Sequence, residues 1–323
     1  METKLNYKRT FLIGLAFLSI CSFWQMYDNI IPLILQNTYH LGETMTGAVM
    51  ALDNVLAIFL LPVFGALSDK VHTKLGRRMP FIVVGTILAV IFMMMLPMID
   101  NAEKARWATG GSFSNQVFFL GVLFLTLVSM GLYRSPAVAL MPDVTPNHLR
   151  SRANAVINLM GAVGGVYALI MIKVLVGKGE TPDYLPLFAS IAAVMAIAVG
   201  ILVITIRENK LREEVEKAEA ANADTIEEKA MAEGVEAAGE IEAVGDTGEA
   251  KAFEEKQQTA KTESTKDMPK DVKRSMYFML ASIFLWFTAY NAVTTAFSRY
   301  TKVVWKMEGG SFANCLMVAT VAA

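Results

Sequence analysis

The sequence is poor in the residues that build disulfides and metal sites, with two cysteines and three histidines among 323 residues. Cys21 and Cys315 both lie in apolar stretches, so the spacing of a disulfide framework or a cysteine-ligated metal site is absent. No nucleophile, metal-ligand cluster or glycine-rich phosphate loop accompanies the histidines. We therefore expect a protein that is not an enzyme and that holds no metal.

Charged residues are also scarce, at 18% of the chain against 54% apolar residues, and the formal net charge is −1. The charges concentrate in loops and in one long segment. Apolar runs of about 20 residues have the length that spans a bilayer, and a membrane core admits helices because they satisfy their own backbone hydrogen bonds. The sequence predicts an all-α membrane protein with spans near residues 11–35, 44–67, 81–99, 116–140, 153–176, 185–206 and 275–298, and a partial span from 311 to the end.

Basic residues cluster on one side of these predicted spans. The N-terminus and the connections after the second and fourth spans carry most of them, which by the positive-inside rule indicates the cytoplasm. Arg299, Lys302 and Lys306 fall on the predicted outer side and oppose this orientation. We predict a multi-pass protein of the plasma (inner) membrane with its N-terminus inside. The residues that support this orientation are Lys4, Lys8, Arg9, Lys70, Lys74, Arg77, Arg78, Arg150 and Arg152.

A change of composition divides the chain into three parts. Residues 207–274 are rich in Ala, Glu, Lys and Thr and cannot bury a core, so we predict a cytoplasmic charged linker, largely disordered with some helix. Residues 1–206 form a complete six-helix N-terminal transmembrane half, and 275–323 begin a C-terminal half. The eighth run has about a dozen residues, too few to cross a bilayer. We interpret the chain as truncated in helix 8, either as a fragment or as a naturally truncated product.

The most informative motif separates the second and third spans, and a second one joins the fourth and fifth. The first comprises Gly65, Ser68-Asp69, Gly76, Arg77-Arg78 and Pro80-Phe81, and the second Tyr133-Arg134-Ser135-Pro136, Pro142-Asp143 and Arg150-Ser-Arg152-Ala153-Asn154-Ala155. Together they resemble the major facilitator superfamily, and the spacing of the first is similar to the sucrose-transporter and glycoside–pentoside–hexuronide:cation symporter branch. The resemblance is good over residues 11–206 and implies two six-helix halves built from three-helix repeats.

The resemblance implies a gating role for the first motif. A carboxylate such as Asp69 beside the guanidinium of Arg77 or Arg78 can latch neighbouring helices in one conformation. At the next turn on the same side, Asp143, Arg150 and Arg152 repeat this pattern. The alternative is that all these residues are ordinary loop charges.

Two carboxylates fall inside the predicted bilayer, where ionisable residues suggest function. Asp28 and Asp53 each lie roughly 10–14 Å below the outer surface at helical rise, so they can share a cavity. Such a pair suits H⁺ coupling, and the same oxygens, with Asn29 and Asn54 beside them, can instead bind Na⁺. Asp53 lies one turn earlier than the carboxylates of the sodium-coupled sugar symporters, which favours H⁺. The alternative is a structural hydrogen bond between helices.

Aromatic and amide groups around Asp28 suggest a sugar site, because sugars stack on aromatic rings while amides and carboxylates bind their hydroxyls. Trp24 and Asp28 share a helical face, with Gln25 and Asn29 adjacent. Tyr290 and Asn291 are the predicted contacts from the seventh span. Arg134 is a full charge within the fourth span and either snorkels, pairs with a carboxylate or contacts an anionic sugar.

These observations favour a secondary active transporter. The leading hypothesis is symport of a sugar or glycoside with a cation, H⁺ before Na⁺, by alternating access. We expect a disaccharide-sized substrate, contact with the lipid bilayer, no nucleic acid, no cofactor beyond the co-transported ion, and a monomer when complete. The alternatives are an uncoupled facilitator or exporter of the same superfamily and a non-transporting truncated membrane protein.

Overall fold

The computed structural model describes residues 5–71, 73–109, 115–177, 179, 181–217, 270–307 and 310–322. Within these ranges the chain is helical and contains no strand, which confirms the all-α prediction. A short 3₁₀ helix, Asn147–Leu149, precedes the fifth helix. The helices are α1 (Tyr7–Asn37), α2 (Glu43–Lys70), α3 (Met79–Ala108), α4 (Gln116–Asp143), α5 (Arg150–Leu175), α6 (Leu185–Thr205), α7 (Lys270–Val303) and α8 (Ala313–Ala322).

Helices α1 to α7 are long and apolar enough to cross a membrane. Six of them precede residue 206, as predicted. Helix α3 continues beyond the predicted end of its span at residue 99 to Ala108. The added turns carry Asp100 and Lys104, which form an ion pair at 2.5 Å, so the charge that marked the end of the apolar run is paired within the helix.

Small residues allow the closest helix contacts. At Gly164 of α5, a Cβ atom would lie 2.1 Å from the carbonyl oxygen of Leu18 in α1. Beside it, the Ser22 hydroxyl donates to the Gly164 carbonyl over 2.9 Å. Gly164 of α5 therefore serves close helix packing. Elsewhere α1 also packs on α6, and α3 packs on α4 and α6.

The chain divides into two compact units. Residues Met1–Lys217 with Thr294–Ala323 form the first, and Ala218–Val293 form the second. In the second unit the described residues are 270–293, the first part of α7. In the first unit α8 packs on α5, with Phe312 and Ala313 fully buried beside it.

The end of α6 is followed by an ordered segment that the sequence assigned to a largely disordered linker. Residues 208–217 are helical, and Glu208, Leu211 and Val215 are buried. Leu211 and Val215 are four residues apart and so share one face of this turn. The prediction allowed some helix in this linker, and the structure adds that one apolar face of the helix is covered. Residues 218–269 of the predicted linker lie outside the described residues.

Contacts between connections define two faces of the first unit. The N-terminus of α1 meets segment 208–217 through Arg9 and Glu214, 2.8 Å apart. The same segment reaches the α2–α3 connection, where the Asn209 amide donates to the carbonyl of Thr73 over 3.1 Å. We call this side the motif face. The connections α1–α2, α3–α4 and α5–α6 lie on the opposite face, where Lys104 donates to the Pro182 carbonyl over 2.6 Å.

Candidate functional site

A buried arginine joins three helices at the motif face. The side chain of Arg78 is 7% exposed, and its Nη2 lies 2.6 Å from Asp69 Oδ1 at the end of α2. Its Nε donates to Asp143 Oδ2 at the end of α4 over 2.9 Å. Its Nη1 donates to the Ser68 hydroxyl over 2.6 Å. One guanidinium at the start of α3 therefore binds the ends of α2 and α4, and we call Asp69, Arg77, Arg78, Asp143 and Glu208 the charged clasp.

The second guanidinium of the clasp shares the same acceptors. Arg77 Nη2 lies 2.9 Å from Asp143 Oδ2 and 3.6 Å from Asp69 Oδ1. Desolvation lowers the pKa of Arg77, but the hydrogen bond and charge of Asp143, with Asp69 and Glu208, outweigh it and raise the pKa overall. Two cations and three carboxylates thus meet within the clasp.

Glu208 completes the clasp and was missed by the sequence analysis. Its carboxylate is fully buried and accepts backbone N–H groups at the start of α3, from Arg77 at 2.8 Å, Arg78 at 2.9 Å and Met79 at 3.0 Å. A helix N-terminus has free N–H groups and favours negative charge. The only signal in the sequence was the absence of a capping side chain before α3, whose N-cap position is Arg78.

Gly76 leaves room for the Glu208 carboxylate. The glycine has φ of +129°, a backbone conformation that side chains disfavour, and a Cβ there would lie 2.1 Å from Glu208 Oε2. Two features therefore favour glycine at position 76. The turn needs a positive φ, and the Glu208 carboxylate occupies the space of a side chain.

The predicted second cluster of Asp143 with Arg150 and Arg152 does not form. Arg150 instead donates to the carbonyls of Pro142 and Thr145 over 2.8 and 3.2 Å, where the exposed carbonyls at the end of α4 attract a cation. Arg152 is exposed. Asp143 belongs instead to the clasp of Arg77 and Arg78, which joins α2, α3 and α4.

The two intramembrane carboxylates lie near each other. Asp28 is nine residues before the end of α1 and Asp53 ten after the start of α2, so both lie about 15 Å from the opposite-face ends of their helices. Their charges interact. Asp53 Oδ1 accepts a hydrogen bond from the Asn54 amide over 3.0 Å. Among the described residues neither carboxylate has a basic group within salt-bridge distance, so their charges are not neutralised by direct pairing.

Arg134 of α4 contacts an aromatic ring of this group. Its guanidinium carbon lies 5.5 Å from the centre of the Trp24 ring, a cation–π contact. Its charge also acts on Asp53. Of the three expectations for Arg134, a direct ion pair with a carboxylate is not formed among the described residues. Trp24, Asp28, Asp53 and Arg134 therefore form one polar group between α1, α2 and α4.

Tyr27 is a second residue that the sequence analysis passed over. Its hydroxyl is buried without a hydrogen-bond partner among the described residues. The charges of Asp53 and Asp28 act on this hydroxyl. Its ring lies 5.4 Å from that of Trp24, edge to face. The indole N–H of Trp24 is likewise buried without a partner in the described chain. Such groups are costly to leave unpaired in a core, so they are candidates to bind a polar ligand.

The remaining predicted substrate residues differ in position. The Gln25 side-chain oxygen lies beside Gly165 of α5, 3.8 Å from where a Cβ would stand. The Asn29 amide donates to the Gln25 carbonyl within α1 over 2.8 Å, and Asn29 is 2% exposed. Tyr290 belongs to the second unit, is exposed and stacks on Trp286. The side chain of Asn291 lies outside the described residues.

A bundle of membrane-spanning helices with charged groups in mid-span and an ionic clasp at one face has the architecture of a membrane transporter. The comparison with known families agrees, since the Major Facilitator Superfamily matches residues 8–323. The chain belongs to this superfamily, which confirms the resemblance drawn from the two motifs.

The similar characterised proteins are sugar transporters. Sucrose transport protein SUT3 of Oryza sativa subsp. japonica is 26% identical over 137 residues, covering 40% of this chain and 27% of the relative. Sucrose transport protein SUC4 of Arabidopsis thaliana is 36% identical over 117 residues, 34% of this chain and 22% of the relative. Lactose permease of Klebsiella pneumoniae is 30% identical over 105 residues, 32% of this chain and 76% of the relative. The chain therefore spans about a quarter of the length of the sucrose transport proteins that it matches.

Proposed function

We propose that this protein is a secondary active transporter that moves a sugar or glycoside together with a cation, H⁺ before Na⁺, by alternating access. The observation that carries the proposal is the polar group of Trp24, Asp28, Asp53 and Arg134 in mid-membrane. The names of the similar proteins, sucrose transport proteins and lactose permease, support the substrate class.

The charges of the group favour uptake of a cation. The charge of Asp53 in α2 interacts with that of Asp28 in α1 and with that of Arg134 in α4. In a medium of low dielectric constant two neighbouring carboxylates cannot both carry charge without compensation. Binding of H⁺ supplies the compensation, and release of H⁺ restores the repulsion. Coupling then follows if sugar binds best to the compensated state.

The hydrogen-bonding groups of the site suit a sugar. The Trp24 ring offers an apolar face, while its indole N–H and the Tyr27 hydroxyl are donors without protein acceptors in the described chain. Asp28 lies four residues from Trp24 and on the same helical face. A sugar ring stacked on an aromatic face with its hydroxyls on a carboxylate is the arrangement that such groups favour.

The clasp would hold the motif face of the N-terminal half in register during this cycle. Its basic residues favour a cytoplasmic location by the positive-inside rule. Because Arg78 binds Asp69 and Asp143 at once, α2 cannot shift relative to α3 and α4 without breaking an ion pair. The clasp would therefore affect the rate of turnover, whereas the mid-membrane group would determine which substrate binds.

The test is uptake of radiolabelled sucrose, maltose or lactose by cells that produce the full-length protein, with and without a proton uncoupler. We expect Asp53→Asn to abolish uncoupler-sensitive accumulation, because the amide cannot bind and release H⁺. The matched control is Glu216→Gln, which removes an exposed carboxylate that pairs only with Arg212 in the described chain. Accumulation by Asp53→Asn at the wild-type rate would refute the role of Asp53. Flux that ignores the uncoupler would indicate a facilitator instead.

A further inference from the structure

Arg299, near the end of α7, joins the ends of α1 and α2 at the opposite face. Its Nε and Nη2 each lie 3.2 Å from Glu43 Oε1, at the first residue of α2. Its Nη1 donates to the side-chain oxygen of Gln36, next to the last residue of α1. All three residues belong to the first compact unit. One guanidinium thus connects the seventh helix with the α1–α2 connection.

The last part of α7 and the residues that follow it are closely packed. Gly310, between α7 and α8, packs so tightly on α5 that a Cβ there would lie 2.2 Å from the Ile172 carbonyl oxygen. Ser298 and Thr301 of α7 are fully buried, as is Phe312 before α8. An ion pair on an open surface contributes little by itself. Here Ser298, directly before Arg299, and Thr301, two residues after it, are fully buried, so this turn of α7 is packed as well as paired.

The pair also accounts for a cation that the charge pattern of the sequence left unexplained. Arg299 lies on the side where the positive-inside rule predicts few basic residues. Glu43, in the first turn of α2, supplies the opposing charge and is itself favoured there by the helix N-terminus. Arg299 is therefore one partner of an ion pair between α7 and α2.

We propose that Arg299, Glu43 and Gln36 form a latch that closes the transporter at the opposite face. The inference rests on the proposed function, because alternating access requires α7 to separate from α1 and α2 on the side where substrate enters between the halves. The latch then belongs to the state closed at that face, and its rupture accompanies opening.

The first experiment measures proximity and needs no transport. Glu43→Cys and Arg299→Cys are combined in a chain whose Cys21 and Cys315 are replaced by Ser, with a protease site inserted within residues 218–269. Membranes are treated with a short bifunctional thiol reagent and then with protease. We expect the two fragments to remain joined. The matched control pairs Arg299→Cys with Met45→Cys, an exposed position in the same turn of α2. Equal joining of both pairs, or of neither, would overturn the latch.

The second experiment measures opening. In a chain whose Cys21 and Cys315 are replaced by Ser, Ser298→Cys places a thiol at a fully buried position beside Arg299. We expect Glu43→Arg or Arg299→Glu alone to raise the alkylation of this thiol by a maleimide added at the opposite face, about fivefold for a pair of this exposure. The double variant Glu43→Arg with Arg299→Glu exchanges the two charges and should restore the wild-type labelling rate. If the single variants were merely misfolded, the exchange would not restore it. The control Lys306→Glu changes an exposed cation in the connection after α7 and should leave the labelling rate unchanged. Single variants that label like the wild type, or an exchange that restores nothing, would overturn the latch.

The two experiments distinguish the latch from the proposed function. Neither uses a sugar or an ion gradient. A chain that crosslinks and regains its labelling rate but accumulates no sugar would refute the proposed function and leave the latch standing. The opposite result would refute the latch alone.

Discussion

Replacement of Glu208 by alanine tests whether the clasp depends on a residue outside the motif. The buried carboxylate accepts N–H groups from Arg77, Arg78 and Met79. Glu208→Ala leaves these donors without their acceptor and removes a negative charge from the start of α3. We expect loss of stability and loosening of both clasp arginines, because their backbone is held by the same carboxylate.

The size of the effect follows from these contacts. A hydrogen bond to a charged group contributes about 1.5–3 kcal/mol, and a charge at a helix N-terminus adds about 0.3–2 kcal/mol. Water can reach part of the cavity left by the side chain and replace some of the lost bonds. We therefore expect Glu208→Ala to cost about 2–4 kcal/mol, and Glu208→Gln, which keeps one acceptor oxygen, roughly half of that.

The assay is thermal unfolding of the detergent-solubilised protein, followed by size-exclusion chromatography of heated samples. At about 2 °C per kcal/mol for a chain of this size, we expect Glu208→Ala to lower the melting temperature by roughly 4–8 °C. The control Glu213→Ala removes an exposed carboxylate of the same segment and should leave the melting temperature unchanged. If the Glu208 and Glu213 variants unfold at the same temperature, the capping role of Glu208 is wrong.

Two further predictions concern packing and the clasp. Gly164→Ala should lower the melting temperature by several degrees because the new Cβ would overlap the Leu18 carbonyl, whereas Gly121→Ala, with nothing within 4 Å, should be neutral; equal melting temperatures would contradict the α1–α5 contact. Arg78→Lys should destabilise the protein by about 1–3 kcal/mol because one ammonium cannot bridge Asp69, Asp143 and Ser68 at once. Arg152→Lys is its exposed control, and an equal effect in both variants would show that Arg78 is an ordinary loop charge.

The membrane spans were predictable because the bilayer imposes a simple rule on length and polarity. The structure departs from the prediction at two places. Asp100 looked like the end of a span, yet its ion pair with Lys104 lets α3 continue. The segment after α6 looked like a solvated linker, yet Leu211 and Val215 find cover. Composition records polarity, whereas these outcomes depend on the contacts of each residue, which for Asp100 lie one turn along the same helix and for Leu211 and Val215 come from the packed fold.

The clasp was predictable in part. The motif spacing indicated that Asp69 belongs with Arg77 and Arg78, because their separation along the chain is short. The sequence analysis grouped Asp143 with Arg150 and Arg152, which are near it along the chain. The packing of α3 on α4 instead brings Asp143 to Arg77 and Arg78. Glu208 lies about 130 residues from its partners, and no local pattern indicates such a contact.

By itself, the sequence determined the class of protein, the helical architecture and the superfamily, since apolar run length and motif spacing are local properties of the chain. It also identified Trp24, Asp28, Asp53 and Arg134, because polar residues stand out within an apolar run. Tertiary structure decided which of these residues meet and which charges compensate one another. Those outcomes depend on distances across α1, α2 and α4, on the buried carboxylate of Glu208 and on the contact of Arg299 with Glu43, all of which exist only once the helices pack.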